Sequence, residues 1–342
     1  MPSPLKIANI WRVISDVDLE AIRRHAMAPV EIWVLVEDAA DRDAVLALVS
    51  PDGLHPALRI VDPSTLVQPL PAVPLVSVLV ARSAVMPTTL ASARNAIRAA
   101  GGRVLTVVVG ETGPAASARQ AGEDARVAIA TWDAGAVEPV ATALLSVIVG
   151  DERLALARQF PALRRALFER LITETAQANA TFALTTGLAE AVPVLTAPLN
   201  LGDIVILTKN QLLLGYRIVL AAGRTGEPRT LLAEIAGVLG SGFLFRQAAR
   251  QLVGLIPIAG IIPKVAIAYS GTWAVGRAIV LWVTEGREIT PAAVQRMTRE
   301  GLDRGRALAE SMLRQRSGAE PSGSRWHRLQ QFLPRRAGRD QN

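Results

Sequence analysis

The chain has 342 residues, which fits two domains of ordinary size, and it contains no cysteine. The absence of cysteine excludes disulfide scaffolds, thiol catalysis, iron–sulfur clusters and cysteine-ligated zinc, and indicates an intracellular chain. The three histidines lie far apart and lack metal-ligand spacing, which argues against a zinc enzyme or a Ser-His-Asp hydrolase. Half of the residues are apolar and the mean hydropathy is +0.30, values that indicate tightly packed helices or a membrane.

Charge is distributed unevenly along the chain. Residues 1–150 carry 12 basic and 15 acidic side chains, a net charge of −3, whereas residues 151–342 carry 25 and 15, a net charge of +10. The asymmetry predicts that the second part faces an anionic partner, either phospholipid headgroups or nucleic acid, with an ordinary solvated surface as the alternative. No apolar signal-peptide core follows the N-terminus, which predicts a cytosolic start.

The sequence pattern predicts four segments: an N-terminal helix in residues 1–30, an α/β domain in 31–150, a helical domain in 151–315, and a disordered Arg-rich tail in 316–342. Apolar periodicity favours one helix over residues 5–28, with Asp16 as a possible N-cap, ended by Pro29.

The α/β domain is predicted from alternating strands and helices. Because the strands are nearly continuous in Val, Leu and Ile, the pattern favours a doubly wound, mostly parallel sheet covered on both faces. The predicted strands are 32–36, 58–61, 75–81, 103–109 and 127–130, and the predicted helices are 42–49, 88–100, 115–122 and 137–149.

Ligands of such sheets bind beyond the carboxyl ends of the strands, so the turns there are the candidate sites. The first turn carries four carboxylates and no glycine, which excludes a phosphate-binding loop or a dinucleotide fingerprint at this turn. Glu37, Asp38 and Asp41, together with Asp62, could instead bind Mg²⁺ and support nucleotide or phosphate chemistry. The alternative is an acidic first helical turn, which the helix dipole favours.

In order and spacing, these turns resemble the nucleotide-binding turns of small Era-like GTPases without their functional residues. Asp62 stands at the first position of the Asp-x-x-Gly motif, with Thr65 in place of its glycine, and Thr131-Trp132 stands at the Ser-Ala loop. Gly110, Glu111 and Gly113 replace the specific residues of the Asn-Lys-x-Asp motif. The resemblance implies a pseudo-GTPase that does not catalyse a reaction, holds no cofactor and does not bind GTP tightly.

The helical domain contains one unit twice: a helix, an apolar tip with two prolines, and a return helix. The return helices end in similar sequences, Gly215–Leu220 and Gly276–Leu281, and the repeat predicts a bundle of two helical hairpins. We expect both tips to insert into a membrane, because residues 252–263 contain no charge or hydroxyl. The predicted inserting residues are Val192, Pro193, Val194, Leu195, Pro198, Leu255, Ile256, Pro257, Ile258, Ile261, Ile262 and Pro263.

Charged residues interrupt every long apolar run, and the best candidate for a spanning helix is 265–283, interrupted only by Arg277. Polar residues seven positions apart lie on one face of each return helix. This pattern is typical of a soluble bundle that pairs its charges internally, or of a membrane-embedded bundle that pairs them in the same way. The predicted polar stripe within the bundle consists of Asp203, Lys209, Asn210, Arg217, Lys264 and Arg277.

Four sequences of the helical domain resemble the bacterial domain of unknown function family 697. They are the hairpin entry Gly-Leu-Ala-Glu-Ala-Val-Pro, Leu207–Gln211, Arg250–Pro257 and Pro263–Tyr269. The resemblance covers about residues 151–290 and implies a membrane-associated helical module of the kind found beside Era-like GTPase domains. It brings no established reaction.

A helix is predicted over 291–314, and residues 311–342 contain seven arginines against two acids. This tail could bind anionic lipid headgroups, bind nucleic acid, or have no partner, and no nucleic-acid-binding module surrounds it. The sequence therefore predicts a non-catalytic scaffold or adaptor at the cytoplasmic face of the cell membrane, integral or peripheral, with a protein partner for the α/β domain. The alternatives are a soluble adaptor with a nucleic-acid-binding tail, or Mg²⁺-dependent nucleotide binding.

Overall fold

The computed structural model describes residue 14 and residues 16–50, 54–66, 70, 72–83, 85–111, 124–189, 201–240, 261–286 and 289–317. Within these residues, a five-stranded parallel sheet with its helices is followed by a helical part, so the fold is α/β plus all-α. The strands are β1 Ile32–Val36, β2 Leu58–Val61, β3 Val76–Ala81, β4 Val104–Val109 and β5 Ala125–Ile129.

Ten α-helices lie in the described residues. In the first half they are α1 Leu19–Met27, α2 Ala39–Val49, α3 Thr88–Ala99 and α4 Val137–Ser146. In the second half they are α5 Glu152–Gln159, α6 Arg164–Ala189, α7 Leu201–Ala221, α8 Pro228–Gly240, α9 Ile261–Glu285 and α10 Pro291–Ser317. The helix predicted over 115–122 lies outside the described residues.

The sheet has the strand order β2-β1-β3-β4-β5 with every neighbouring pair parallel, which is a doubly wound order. All residues of β1 and β3 are buried, because helices cover both faces of the sheet. The predicted parallel α/β arrangement is thereby confirmed at the level of strands and helices.

The N-terminal helix differs from the prediction of one run over 5–28. The described helix α1 begins at Leu19, and the carboxylate of Asp18 caps it by accepting from the Ala21 amide at 2.8 Å. Asp16, the expected cap, lies in a turn before α1 and pairs with Lys209 of α7. Residues 1–13 lie outside the described part.

One hydrophobic core joins the sheet to the helical part. One face of the sheet packs on α4, and this core continues through α5 into α6, α7 and α9. The other face forms a smaller cluster with α3, in which Leu35, Leu79, Leu90 and Ile97 are buried.

Helix α9 is the central helix of the bundle and packs against α6, α7 and α10. Its contact with α10 is close because Gly301 and Gly305 face its backbone: a Cβ atom at either glycine would lie 2.9 Å from the Cα of Ser270 or Ala266. Small residues four apart allow helix backbones to approach in this way.

The contacts between helices give their directions. Asn179 of α6 binds Thr272 of α9 and Asn210 of α7. Glu169, which precedes Asn179 on α6, binds Arg277, which follows Thr272 on α9. Helix α6 is therefore antiparallel to α9, and the end of α6 at Ala189 lies beside the starts of α7 and α9. We call this the distal end. At the opposite end, Arg165 near the start of α6 pairs with Glu138 of α4, and Arg217 near the end of α7 pairs with Asp151 before α5.

Candidate functional site

A cavity of about 470 Å³ lies at the carboxyl edge of the sheet, where the doubly wound fold predicts a ligand site. The ends of β1 and β2 and the starts of α2 and α3 line it, and Glu37, Asp38 and Asp62 supply its carboxylates. These are three of the four residues predicted to bind Mg²⁺.

Each carboxylate at this edge already binds a group of the protein. Asp38 caps α2 by accepting from the Ala40 amide at 2.7 Å, and Glu37 accepts from the Thr89 hydroxyl. Asp62 accepts from the amide and the hydroxyl of Ser64 at 2.9 and 2.7 Å, and these hydrogen bonds lower the pKa of Asp62.

Asp41 does not face this cavity with the other acids. Its carboxylate is buried and binds Arg82 in a two-pronged ion pair at 2.8 and 3.1 Å. Within the residues described, no group of three or more His, Cys, Asp or Glu side chains could hold a metal ion. Mg²⁺ binding by these acids stays a prediction. In the structure Asp38 caps α2 and Asp41 pairs with Arg82, while Asp62 and Glu37 bind the hydroxyl groups of Ser64 and Thr89.

The other turns compared with GTPase motifs also use their polar groups locally. The Asp133 carboxylate, beside Thr131 and Trp132, accepts from the amides of Gly135 and Ala136 at 2.7 and 3.2 Å and begins the turn into α4. Glu111 pairs with Arg126 at 3.3 Å. Gly113 lies outside the described residues.

A second cavity, of about 350 Å³, lies where the helical part meets the α/β part. It is open between α6 and α7 and is closed at one end by the turn between α4 and α5; we call it the polar pocket. Its polar lining residues are Asp151, Arg153, Glu174, Thr175, Asn210 and Arg217.

Two ion pairs form the walls of the polar pocket. Arg217 binds Asp151 at 2.7 and 3.3 Å, and Arg153 binds Glu174 at 3.0 and 3.2 Å. Burial acts to raise the pKa of Glu174, but the hydrogen bonds and charges of Arg153 and Arg170 outweigh it, so the pKa lies below its ordinary value. Glu174 is therefore ionised at neutral pH.

Behind the polar pocket, a buried polar network joins α6, α7 and α9. The Thr272 hydroxyl donates to the Ala268 carbonyl at 3.0 Å and accepts from the side-chain amide of Asn179 at 2.8 Å. The oxygen of Asn179, a fully buried residue, accepts from Asn210 at 2.6 Å. Sequence analysis singled out Asn210 but missed Asn179 and Thr272; the available signal was an uncharged polar residue inside an apolar helix.

Four residues of the predicted polar stripe bind four different partners. Arg217 and Asn210 line the polar pocket, and Lys209 binds Asp16. Arg277 binds Glu169 of α6 and lies 5.8 Å from the ring of Trp273. Two members remain: Lys264 is half-buried near the start of α9, and Asp203 belongs to the first turn of α7.

Three of the twelve predicted tip residues belong to the described part of the chain. Val192, Pro193, Val194, Leu195, Pro198, Leu255, Ile256, Pro257 and Ile258 lie outside the described residues. Ile261, Ile262 and Pro263 form the first turn of α9, where proline is compatible with a helix, and Ile262 packs against the core.

One helix in the described part of the chain, residues 264–285, is long and apolar enough to cross a membrane, because an 18-residue stretch of it has a mean hydropathy of 1.3. Of that stretch 61% is buried in the protein, which also fits the central helix of a bundle. Comparison with protein-family models, curated proteins and solved structures finds no match for this chain.

Proposed function

We propose that this protein is a non-catalytic, membrane-associated scaffold whose helical bundle binds the bilayer through its distal end. The observation that carries the proposal is the direction of the helix ends that flank the two segments with the predicted tips. Residues 190–200 connect α6 to α7 and residues 241–260 connect α8 to α9, so the ends that flank both segments point the same way, away from the sheet.

The apolar content of the second tip supports lipid as the partner. A loop at the end of a soluble bundle is ordinarily polar, because it lies in water. Residues 252–263 instead contain no charged or hydroxyl side chain. Side chains of this kind gain about 1.5–3 kcal/mol each on leaving water, so a few of them can hold the protein to a bilayer.

The repeated hairpin is part of the proposal, and reciprocal contacts of two glycines support it. A Cβ atom at Gly215 of α7 would meet Ile235 of α8 and Ile279 of α9 within 3 Å. A Cβ atom at Gly276 of α9 would meet Ile172 of α6 and Leu214 of α7 within about 3 Å. Each return helix thus uses the equivalent glycine to approach the other hairpin, as a pseudo-twofold axis requires.

For the α/β domain we propose a pseudo-GTPase that recruits a protein partner. The parallel strand order and the local use of polar groups at its turns support this assignment. The resemblance of the helical part to the domain of unknown function family 697 supports placement at the cytoplasmic face, with the Arg-rich tail adding attraction to anionic headgroups.

Vesicle flotation of the full chain tests the proposal. We expect the wild type to float with neutral vesicles and Val194→Glu/Ile258→Glu to stay in the dense fraction, because a carboxylate in hydrocarbon costs about 3 kcal/mol per site. Leu54→Glu/Val85→Glu is the matched control, since both side chains are exposed in the α/β part, and it should float.

Flotation of the tip variant, or a wild type that never floats, would overturn the proposal. A wild type that does not float and shifts an RNA or DNA probe in low salt would support the soluble adaptor instead.

A further inference from the structure

The polar pocket has more hydrogen-bond donors than acceptors left for a ligand. Arg217 uses Nε and Nη2 to bind Asp151, so the N–H groups of Nη1 are not engaged by that carboxylate. Arg153 gives one bond from each Nη to Glu174 and its Nε–H to the Gly150 carbonyl, which leaves one N–H on each Nη. Both guanidinium groups can therefore bind further oxygen atoms.

The carboxylates of the pocket both bind arginine. Glu174 accepts two bonds from Arg153 and a third, at 2.7 Å, from Arg170 on the same helix. Asp151 uses both oxygens for Arg217. Two guanidinium groups and two carboxylates line the pocket, and Arg170, outside the lining, adds a third guanidinium to Glu174. The N–H donors left on Arg217 and Arg153 therefore favour an oxyanion.

The polar network fixes how Asn210 meets a ligand. Because Thr272 donates to a backbone carbonyl, its oxygen must accept from Asn179, and Asn179 must in turn accept from the amide nitrogen of Asn210. This order leaves the oxygen of Asn210 as an acceptor for a hydroxyl group. The apolar side chains of Leu171 and Leu213 also line the pocket, which suits the carbon atoms of the same molecule.

We propose that the polar pocket binds the phosphate group of a small phosphate ester, with Arg217 and Arg153 on the phosphate oxygens and Asn210 on a neighbouring hydroxyl. The cavity of about 350 Å³ is larger than a phosphate ion and falls within the range of small-molecule sites. The ester can be a soluble compound or a lipid headgroup, because both present the same chemistry to the pocket.

Calorimetric titration of the full-length protein with inorganic phosphate, at ionic strength held constant with chloride, tests the proposal. We expect saturable binding of one phosphate per chain. Arg217→Gln should weaken it at least about tenfold, because it removes charge-assisted hydrogen bonds. Arg165→Gln is the matched control and should bind like the wild type, since Arg165 is 83% exposed on α6 outside the pocket.

Arg217→Gln leaves Asp151 without its guanidinium partner and could misfold for that reason, so a second variant is needed. Asp151→Asn/Arg217→Gln removes both charges, keeps the net charge, and should also lose phosphate binding while unfolding cooperatively. Equal phosphate affinity in this variant and the wild type, or no saturable binding by the wild type, overturns the proposal.

Competition identifies the source of the phosphate. Displacement of inorganic phosphate by glycerol 3-phosphate supports a soluble ester, and displacement by phosphatidic acid vesicles but not by glycerol 3-phosphate supports a lipid headgroup. The titration uses no membrane, and neutral-vesicle flotation of Arg217→Gln should match the wild type, so failure of this site is distinguishable from failure of the proposed membrane function.

Discussion

Close contact between α9 and α10 makes the substitution Gly305→Ala a direct test of the bundle. The added Cβ atom would lie 2.9 Å from both the Cα and the carbonyl oxygen of Ala266, and 3.0 Å from the Cβ of Tyr269. Two of these three atoms belong to the backbone and cannot rotate away. The helices must therefore separate along a seam that also contains Gly301.

Two opposing terms determine the magnitude. Replacing glycine by alanine inside a helix contributes about 1 kcal/mol of stability. Overpacking a well-packed contact costs about 1–3 kcal/mol, and backbone atoms that cannot yield place this contact at the upper end. We expect a net loss of about 1–2 kcal/mol, or a fall of roughly 1–3 °C in Tm.

Thermal and urea unfolding, followed by circular dichroism, measure this effect against a control. Gly237 lies inside α8, and a Cβ atom there would meet no atom within 4 Å. Gly237→Ala should therefore stabilise the protein by about 0.5–1 kcal/mol. If Gly305→Ala proves as stable as Gly237→Ala, the close approach of α9 and α10 described above is wrong.

Three further predictions concern buried polar groups. Asn179→Asp places a carboxylate against the accepting oxygen of Thr272, and burial raises the pKa of this carboxyl group. Urea unfolding should show near wild-type stability below about pH 4, where the group is protonated. Once the pH exceeds the raised pKa, the free energy of unfolding should fall by about 3 kcal/mol. Burial, then the charge of a nearby carboxylate, raises the pKa of Tyr216 to about 12, so its stabilising contribution is complete below pH 10 and is lost between about pH 10 and 12. Tyrosinate absorbance should show late ionisation of two tyrosines in the wild type and of one in Tyr216→Phe, because burial also raises the pKa of Tyr269. Arg82→Gln should lower the free energy of unfolding by about 2 kcal/mol, because buried Asp41 loses both hydrogen bonds, whereas Asp41→Asn/Arg82→Gln should recover part of the loss.

Strands and helices were predictable where residue type alone determines burial. The run Ile32–Val36 is apolar throughout because both faces of β1 are covered, and its predicted bounds agree with the structure. Helix α3 agrees to within one residue because Pro87 fixes its start. The N-terminal helix was predicted too long because apolar periodicity does not show where a helix begins. In the structure Asp18 is the N-cap, and α1 begins at Leu19.

The candidate sites were harder to predict, because they depend on pairs far apart in sequence. Glu37, Asp38 and Asp41 after β1, with Asp62 after β2, left a cation site open as an alternative in the sequence. Arg82, about 40 residues after Asp41, binds the Asp41 carboxylate instead. Asn179 and Thr272 are 93 positions apart and meet only when α6 and α9 pack. No local pattern contains either pairing.

Helix α9 shows why hydropathy cannot by itself decide between a spanning helix and a central one. Both must be long and apolar, the first to face lipid and the second to face its neighbours on every side. In this chain α9 packs against three helices and pairs Arg277 with Glu169, so we expect only its first turns to approach lipid.

Depth-dependent quenching of a fluorophore in vesicles separates the two arrangements, and the lack of native cysteine permits single-site labelling. We expect the depth of label to decrease from Ile262→Cys through Gly271→Cys to Val283→Cys, because α9 rises about 1.5 Å per residue away from the distal end. A spanning helix would instead place Gly271→Cys deepest and the two end positions near opposite surfaces. That result would refute end-on binding while leaving the fold of the α/β part untouched.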